Sequence, residues 1–348
     1  MFTSRKTILG IDIQKNVVRY CTLHKGRWLY GEKLAQGNFF KDNRLKNKQE
    51  LVKIIHDICK ETHSRAPHVV ISALNSKLLI KQIPLQKMET EKEIREFLFF
   101  ELGESIQLPF ENPIFDLLIL DRPNQKQKKE KKTKKMKKEQ ASSGDLEQVK
   151  VKTVKRNRFA VNGNVPVLIT SEPLLEEIGD VILDGGGNLA GVDFSALAYT
   201  SILKREIEWG QSFALVEIDS GEATITIFEK LVPVYVQYED YNQINWRFQE
   251  VDGQIIPDFK DEAESVTQLG ETIQNIIRYF ETDISEGGKV SKIYLVGGHP
   301  RLKKEVSDVI QSKNDIPVSV LTSALKLKKL LQIPPRFLLA ACLALKEV

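Results

Sequence analysis

The sequence predicts an α/β protein built from two similar halves, and three observations support this fold class. The segment 7–23 has the pattern of a strand, a polar turn and a second strand, and the segment 213–228 repeats this pattern about 205 residues later. A third strand-like run follows each segment, at 27–34 and at 232–238. Amphipathic helical patterns fill the intervals between the strands. Two related halves that each begin with a three-stranded β-meander explain this spacing.

Two helices are predicted in the first third of the chain. The interval 47–62 is amphipathic. The interval 90–106 opens with Thr90 and Glu93, which form a Thr-x-x-Glu capping box that binds the free N–H groups of a first helical turn. Because proline cannot continue a helix, we expect Pro109 to end the second one.

Three further elements are predicted in the last third of the chain. Apolar residues recur at helical spacing over 267–284, and another helix is expected at 300–310. Between them, 292–296 is a short apolar run typical of a buried strand, and it is followed by Gly297 and Gly298.

The interval 124–164 fits no packed element, because it is rich in Lys, Gln, Glu, Ser and Thr and has few large apolar residues. It lies between strand-like runs at 114–120 and 166–170, so we expect a long disordered loop that connects neighbouring strands. Residues 126–138 hold nine Lys and one Glu, a local charge of +8, whereas the whole chain has a formal charge of +4. The other residues therefore sum to −4 (4 minus 8), which excludes a generally basic nucleic-acid-binding surface.

Two interpretations of the run from Lys126 to Lys138 stay open. It is either a solvated loop that tolerates charge or an electrostatic tether to an anionic membrane, since each Lys near such a surface contributes about 1 kcal/mol. Nucleic acid is attracted by the same physics. The run has no aromatic residue that could stack on bases, however, and no sequence-specific nucleic-acid binding is expected.

The composition excludes several other classes. The N-terminal residues have no apolar stretch long enough for a signal peptide, and the apolar run at 337–345 has nine residues, whereas a membrane span needs about 20. Cys21, Cys59 and Cys342 are too far apart for a zinc site or a disulfide framework, and their apolar neighbours predict buried free thiols. A soluble cytoplasmic protein is expected.

A set of segments occurs in a specific order along the chain. They are ILGIDIQKNVVRY, SALNSKLLIKQIPL, LPFENPIFDLLIL, VLITSEPLLEEIGDVILDGGGNLAGVDFSALA, FALVEIDSGEATITIF, KIYLVGGHPRLKKEV and IPPRFLLAACLALKEV. This order resembles the type IV pilus assembly protein PilM family, whose members are cytoplasmic proteins of the actin-like ATPase superfamily, related in fold to the cell-division protein FtsA. The resemblance covers nearly the whole chain except the Lys-rich run.

The resemblance implies an actin-like (ribonuclease H-like) fold of two lobes with an inserted small α+β subdomain. The implied divisions are a first lobe at 1–80 with 171–210, the inserted subdomain at 81–170, a second lobe at 211–245 with 290–348, and a helical subdomain at 246–289. The implied cofactor is ATP with magnesium, bound in the cleft between the lobes. Family members sit at the inner face of the cell membrane and bind the cytoplasmic N-terminal tail of the membrane protein PilN.

The resemblance also implies which residues of the first hairpin would face the nucleotide. Asp12 matches the family's Asp, but Gln14 stands in place of its Gly and Lys15 in place of its Ser, and Asn16 follows. A Cβ at Gln14 takes room that a phosphate would need, whereas the charge of Lys15 would compensate in part. An ordinary polar hairpin turn is the alternative interpretation.

The second hairpin allows two alignments with the family. Without a gap, Glu217 stands at the family's Asp and Asp219 at its Gly, so that Asp219 would face a phosphate. A shift of two residues instead aligns Asp219, Ser220 and Gly221 as Asp-x-Gly. We favour the ungapped alignment because the flanking strands then keep their lengths. A carboxylate about 4 Å from a phosphate costs about 4 kcal/mol at an effective dielectric constant near 20, which makes tight ATP binding difficult.

The third part of the implied site is better preserved. Gly297 and Gly298 match the turn that lets adenine or ribose lie against the backbone, and His299 follows where the family has a small residue. The chain has no Walker A pattern and no local motif for acyl transfer. The sequence therefore predicts a degenerate nucleotide site without catalytic residues.

The leading functional hypothesis is a non-enzymatic scaffold or adaptor of a type IV pilus, a competence pilus or a related secretion machine. The tail of a PilN-like partner would lie between the first lobe and the inserted subdomain. By position, Phe97, Phe100, Ile106 and Phe110 are candidates for that contact, with core packing as their alternative role. An active actin-like ATPase that cycles or polymerises with Mg-ATP is the alternative function, and a sugar-kinase relative is a third.

Overall fold

A computed structural model describes most of the chain. The described residues are 8–41, 44–63, 66–84, 88, 90–102, 104, 106–118, 163–204, 206–219, 221–229, 231–240, 247–258, 262–285, 287–321 and 333–346. The run from Lys126 to Lys138 and the turn residue Ser220 lie outside them. Within these ranges, no helix has the length and hydropathy that a membrane span requires.

Two five-stranded sheets form the body of the protein. The first contains β1 (Ile8–Ile13), β2 (Val17–His24), β3 (Arg27–Leu34), β6 (His68–Ser72) and β10 (Asn188–Asp193). The second contains β11 (Ser212–Asp219), β12 (Glu222–Glu229), β13 (Val232–Asp240), β16 (Val290–Val296) and β17 (Val318–Val320). The strand orders, β10-β6-β1-β2-β3 and β17-β16-β11-β12-β13, are equivalent: an antiparallel meander extended by two parallel strands. The repeated meander predicted from the sequence is confirmed.

Helices cover both faces of each sheet, which produces alternating layers. They are α1 (Lys48–Glu61), α2 (Glu91–Glu101), α3 (Glu172–Asp184), α4 (Ser195–Leu203), α5 (Glu262–Tyr279), α6 (Ser307–Lys313) and α7 (Leu338–Ala344). Helices α1 and α3 pack on the outer face of the first sheet, and α5 and α6 on the outer face of the second. Helices α4 and α7 share one apolar core with the inner faces of both sheets. We call the first sheet with α1, α3, α4 and α7 the first lobe, and the second sheet with α5 and α6 the second lobe.

A small subdomain lies beside the two lobes. It consists of β7 (Leu79–Pro84), β8 (Pro113–Leu117), β9 (Asn164–Ser171) and helix α2, with the strands in the order β7-β9-β8. Ile94 and Leu98 of α2 are buried against this sheet. Because β8 and β9 pair in antiparallel fashion, the predicted polar interval does connect neighbouring strands.

Short elements complete the described chain. They are the strands β4 (Phe40–Lys41), β5 (Arg44–Leu45), β14 (Arg247–Val251) and β15 (Gln254–Asp258), 3-10 turns at Asn75–Lys77 and Pro335–Phe337, and π-helical turns at Phe280–Ile284 and Leu302–Val306.

Two elements differ from the sequence-based expectation. Helix α2 ends at Glu101, well before Pro109, because Leu102 already has an extended backbone (φ −71°, ψ 120°) and turns into the core of the small subdomain. Helix α7, which was expected in the second lobe, packs on β1, β2 and β6 of the first sheet. An apolar helix can cover either sheet, so its sequence pattern alone did not distinguish the two.

The capping box at the start of α2 is confirmed and allows a first prediction. Thr90 accepts a hydrogen bond from the Glu93 amide (3.2 Å), and the Glu93 carboxylate accepts one from the Thr90 amide (3.0 Å). We expect Thr90→Ala to lower the free energy of unfolding by about 1 kcal/mol in urea titrations, because the Glu93 amide in the first turn loses its acceptor. Thr267→Ala, which removes a hydroxyl from the interior of α5, should cost less. Equal losses for the two variants would contradict the capping role.

Candidate inter-lobe site

The first turns of the two meanders face each other between the lobes, and both hairpins have the same register. Asp12 pairs with Arg19 in the first hairpin, and Glu217 pairs with Thr224 in the second. Both residues of the second pair are offset by 205 from the first (217 minus 12 and 224 minus 19). Glu217 is therefore the counterpart of Asp12, and Asp219 is the counterpart of Gln14, as in the ungapped alignment.

A buried arginine that the sequence analysis did not single out joins the two lobes. Arg19, on β2, is completely buried, and its guanidinium donates two hydrogen bonds to Asp219 at the end of β11, from Nη1 to Oδ2 (2.8 Å) and from Nη2 to Oδ1 (3.1 Å). On the first-lobe side, Nη1 lies 3.7 Å from the Asp12 carboxylate and Nε lies 3.7 Å from Glu32. Asp219 thus contacts an arginine of the protein, where the ungapped alignment had placed a phosphate. The available signal was a lone charge within an otherwise apolar strand.

The remaining residues of the first turn bind neighbouring protein groups. Gln14 Nε2 donates to Asp12 Oδ1 (2.7 Å), so the side chain that replaces the family's Gly lies on the site's own carboxylate. Lys15 Nζ crosses to the second lobe, where it contacts Asp240 Oδ1 (2.8 Å) and the Gly221 carbonyl (3.3 Å). The Asn16 carbonyl accepts a hydrogen bond from the Ala35 amide (2.8 Å). These contacts hold the turn against β13 and the end of β3.

Glu217 is bound by two polar side chains of the first lobe, Ser195 and Asn75. Ser195 Oγ donates to Glu217 Oε2 (2.6 Å), and Asn75 Nδ2 donates to the same oxygen (3.0 Å). Burial raises the pKa of Glu217 to about 8; the hydrogen bond from Ser195 opposes this shift, and the charges of Asp12 and Asp219 add to it. Burial likewise raises the pKa of Asp12 to about 7, although Arg19 opposes this shift. Both carboxyls therefore retain protons at pH values where exposed carboxyls are ionised.

Gly297 and Gly298 lie directly against these groups. A Cβ at Gly297, whose φ is +117°, would stand 2.2 Å from the Ile218 carbonyl oxygen. A Cβ at Gly298 would stand 2.6 Å from both Arg19 Nη1 and Asp219 Oδ2. The Gly298 amide itself donates a hydrogen bond to Asp219 Oδ2 (3.1 Å). His299 is buried, and its Nδ1 accepts a hydrogen bond from the Arg301 amide (3.0 Å). The glycines are needed here for close approach of protein to protein.

The residues present do not fit a nucleotide in the arrangement that the resemblance implies. On the side of Gly297 and Gly298 where a Cβ would stand, the space is filled by Arg19, Asp219 and β11. Beside the turns there remains a cavity of about 360 Å³, lined by Glu217, Glu222 and Asp240 as well as Lys15. Each ionised carboxyl within about 4 Å of a phosphate would cost about 4 kcal/mol. Among the described residues, no group of three or more His, Cys, Asp and Glu side chains is placed to hold a metal ion.

A second, apolar groove runs between the small subdomain and the first lobe. It has a volume of about 530 Å³, and its lining combines strands β8, β9 and β10 with the start of α4. The apolar side chains that line the groove include Ile114, Leu117, Leu168, Val192, Phe194 and Leu197.

None of the four side chains proposed for partner contact lines this groove. The core of the small subdomain contacts Phe97 on α2, and Ile106 and Phe110 in the segment that follows α2. Phe100 is exposed and contacts the neighbouring Phe99 edge-to-face, with 5.6 Å between ring centroids. The sequence pattern revealed these residues as apolar but did not reveal which surface each would face.

The chain matches no protein-family model and no curated protein. Among solved structures, it is similar to a chain of a PilM–PilN type IV pilus biogenesis complex, with 15% identity, coverage of 97% of each chain and a TM-score of 0.64. It also matches the ethanolamine utilization protein EutJ from Carboxydothermus hydrogenoformans (13% identity, 98% of this chain and 90% of that chain, TM-score 0.48). A third match is the cytoplasmic domain of EpsL, an inner membrane component of the Vibrio cholerae type II secretion system (10% identity, 88% and 94%, TM-score 0.44). The first similarity and the two equivalent layered sheets establish an actin-like two-lobed fold with an inserted small subdomain, as the sequence predicted.

Proposed function

We propose that this protein is a non-enzymatic adaptor of a type IV pilus or a related secretion machine. In this proposal it acts in the cytoplasm at the inner face of the cell membrane and binds the cytoplasmic tail of a PilN-like membrane protein. The similarity in fold to a chain of a PilM–PilN complex supports the class of machine. The contacts of Arg19 and Asp219 support an adaptor without ATP turnover, because they fill the space beside Gly298 in the implied nucleotide site.

The apolar groove is the observation that carries the proposed partner binding. Leu117, Leu168 and Phe194 give it an apolar floor, and its two sides are β8 and β10, which are edge strands of their sheets. An edge strand presents unpaired backbone groups, and an apolar groove takes alternate side chains of an extended peptide. A short, partly apolar tail of a membrane protein has the shape and chemistry for such a site.

The test is binding of a synthetic peptide with the cytoplasmic tail of the single-span membrane protein encoded beside this gene. We expect calorimetry to detect binding to the full chain and Val192→Asp to weaken it at least tenfold, because a charge would enter the apolar groove. Leu183→Asp is the matched control: it also places a charge at an exposed apolar residue, but on α3 and outside the groove. Absence of binding, or equal weakening by both variants, would refute the proposed partner site.

A further inference from the structure

We propose that Arg19 and Asp219 form a built-in clamp between the two lobes, so that the lobes keep their relative position without a bound ligand. In the fold implied by the resemblance, a nucleotide would lie between the same hairpins. Here a side chain of the first lobe reaches a side chain of the second lobe directly. This inference does not depend on the proposed partner, and either can fail without the other.

The geometry of the pair fixes an orientation as well as a distance. Each terminal nitrogen of Arg19 donates to a different carboxylate oxygen of Asp219, at 2.8 and 3.1 Å. A planar guanidinium in this two-point contact resists rotation of one strand relative to the other. Because Arg19 is on β2 and Asp219 ends β11, the contact sets the position of one meander relative to the other.

The surroundings supply each charge with further partners. On the first-lobe side, Asp12 and Glu32 lie 3.7 Å from the guanidinium. On the second-lobe side, the Gly298 amide donates to the Asp219 oxygen that Arg19 also binds. A buried ion pair is stable only when such hydrogen bonds and counter-charges accompany it. Loss of Arg19 removes the guanidinium that Asp219 binds, and loss of Asp219 leaves Arg19 beside Asp12 and Glu32 of its own lobe. Either change removes the two-point contact between the lobes, and their separation then admits water to the remaining charge.

Other contacts across the cleft are arranged around this pair. Lys15 reaches Asp240 at the solvent side, and Ser195 and Asn75 bind Glu217. The Lys15 pair is partly exposed, so water and salt weaken it. The Arg19 pair is buried, and it is the ion pair that we expect to fix the orientation of the two meanders within the arrangement that the shared apolar core and the Glu217 contacts also stabilise.

The clamp can be tested by measuring the distance between the lobes in the full chain. Spin labels are attached at Lys53→Cys on α1 and Asn275→Cys on α5, both exposed, whereas the three native cysteines are buried. We expect a narrow distance distribution without nucleotide that millimolar Mg-ATP does not change. We expect Arg19→Met, and separately Asp219→Asn, to broaden the distribution and shift it to longer distances.

The control removes another arginine from the same cluster. Arg336 binds Glu32 (3.0 Å) within the first lobe, so Arg336→Met should leave the distribution unchanged. A shift of the wild-type distribution on addition of Mg-ATP would overturn the clamp, and so would folded Arg19→Met and Asp219→Asn variants with the wild-type distribution. Asp219→Asn keeps the side-chain shape and serves as the test if Arg19→Met does not fold. If neither variant folds, the clamp is tested by comparing the distance distribution of the wild-type chain with and without Mg-ATP.

Discussion

Gly10→Ala should lower the free energy of unfolding by about 3 kcal/mol, because β1 and α7 touch at this glycine. A Cβ at Gly10 would stand 2.0 Å from the Ala340 carbonyl oxygen and 2.6 Å from the Ala344 amide nitrogen. Both obstructing atoms belong to the backbone of α7, so no change of rotamer can make room for the methyl group. The helix must move away from the sheet, and its contacts with the inner core loosen together.

The measurement is urea unfolding followed by circular dichroism, with Gly210→Ala as the control. A Cβ at Gly210 would meet open space, with no obstructing atom within 4 Å, so the same chemical change should have little effect there. Equal stability of the two variants would show that α7 is not closely packed on β1. A variant that remains folded but binds a hydrophobic dye would show that the helix has been displaced from the sheet.

Replacement of Glu217 by glutamine should remove a substantial part of the stability that the wild-type protein loses as the pH rises from 4.5 to 8. The pKa of Glu217 is raised from 4.5 to about 8, mainly by burial. Below pH 4.5 the carboxyl is protonated in the folded and the unfolded state. Between pH 4.5 and 8 the unfolded state releases this proton while the folded state retains it, so the free energy of unfolding falls as pH rises. The loss is complete once the pH has passed the folded-state pKa.

The size of the effect follows from the shift. One pKa unit corresponds to about 1.4 kcal/mol, so the full contribution is at most about 5 kcal/mol. Glu217→Gln cannot ionise and can still accept the hydrogen bonds from Ser195 and Asn75. We therefore expect the variant to be more stable than wild type at pH 8 and to differ little at pH 4.5.

Urea unfolding at a series of pH values between 4.5 and 9 measures this effect. Asp12 and Glu222, whose pKa values are both raised to about 7, should leave a residual slope below pH 7 in the variant. Glu264→Gln, at an exposed position of α5, is the control and should reproduce the wild-type slope. An unchanged slope in Glu217→Gln would show that this carboxyl is already ionised in the folded protein.

The features that the sequence predicted correctly are those encoded by neighbouring residues. Alternation of apolar and polar side chains is visible within one strand, and the capping box of Thr90 and Glu93 lies within one helical turn. The role of Arg19 was missed because its partner is 200 residues away and no local pattern connects the two. The residues of α2 were recognised as apolar, but the choice between core and surface for Phe97 and Phe100 depends on how the helix is rotated against its sheet.

The residues of the candidate site come from several distant segments, and their mutual contacts are not visible in any one of them. The resemblance brought together Asp12, Glu217 and Gly298, and the structure places them at one junction between the lobes. Their contacts depend on the side chains that fill the cleft. The presence of Gln14 where the family has glycine shows that the turn differs, but it does not show which group Gln14 binds. Whether the space is filled by water, ligand or protein depends on tertiary packing, which a motif does not describe.

Because α7 follows β1 at a great distance along the chain, the contacts between them can form only late in synthesis. Strand β1 ends at Ile13, whereas the helix that covers its inner face begins only at Leu338. During synthesis the first sheet therefore has its outer helices and α4 long before α7 can cover the inner side of β1, β2 and β6. Contacts between such distant segments form late, and the waiting apolar face is prone to aggregation. The nascent chain thus presents a surface suited to a chaperone until α7 has emerged.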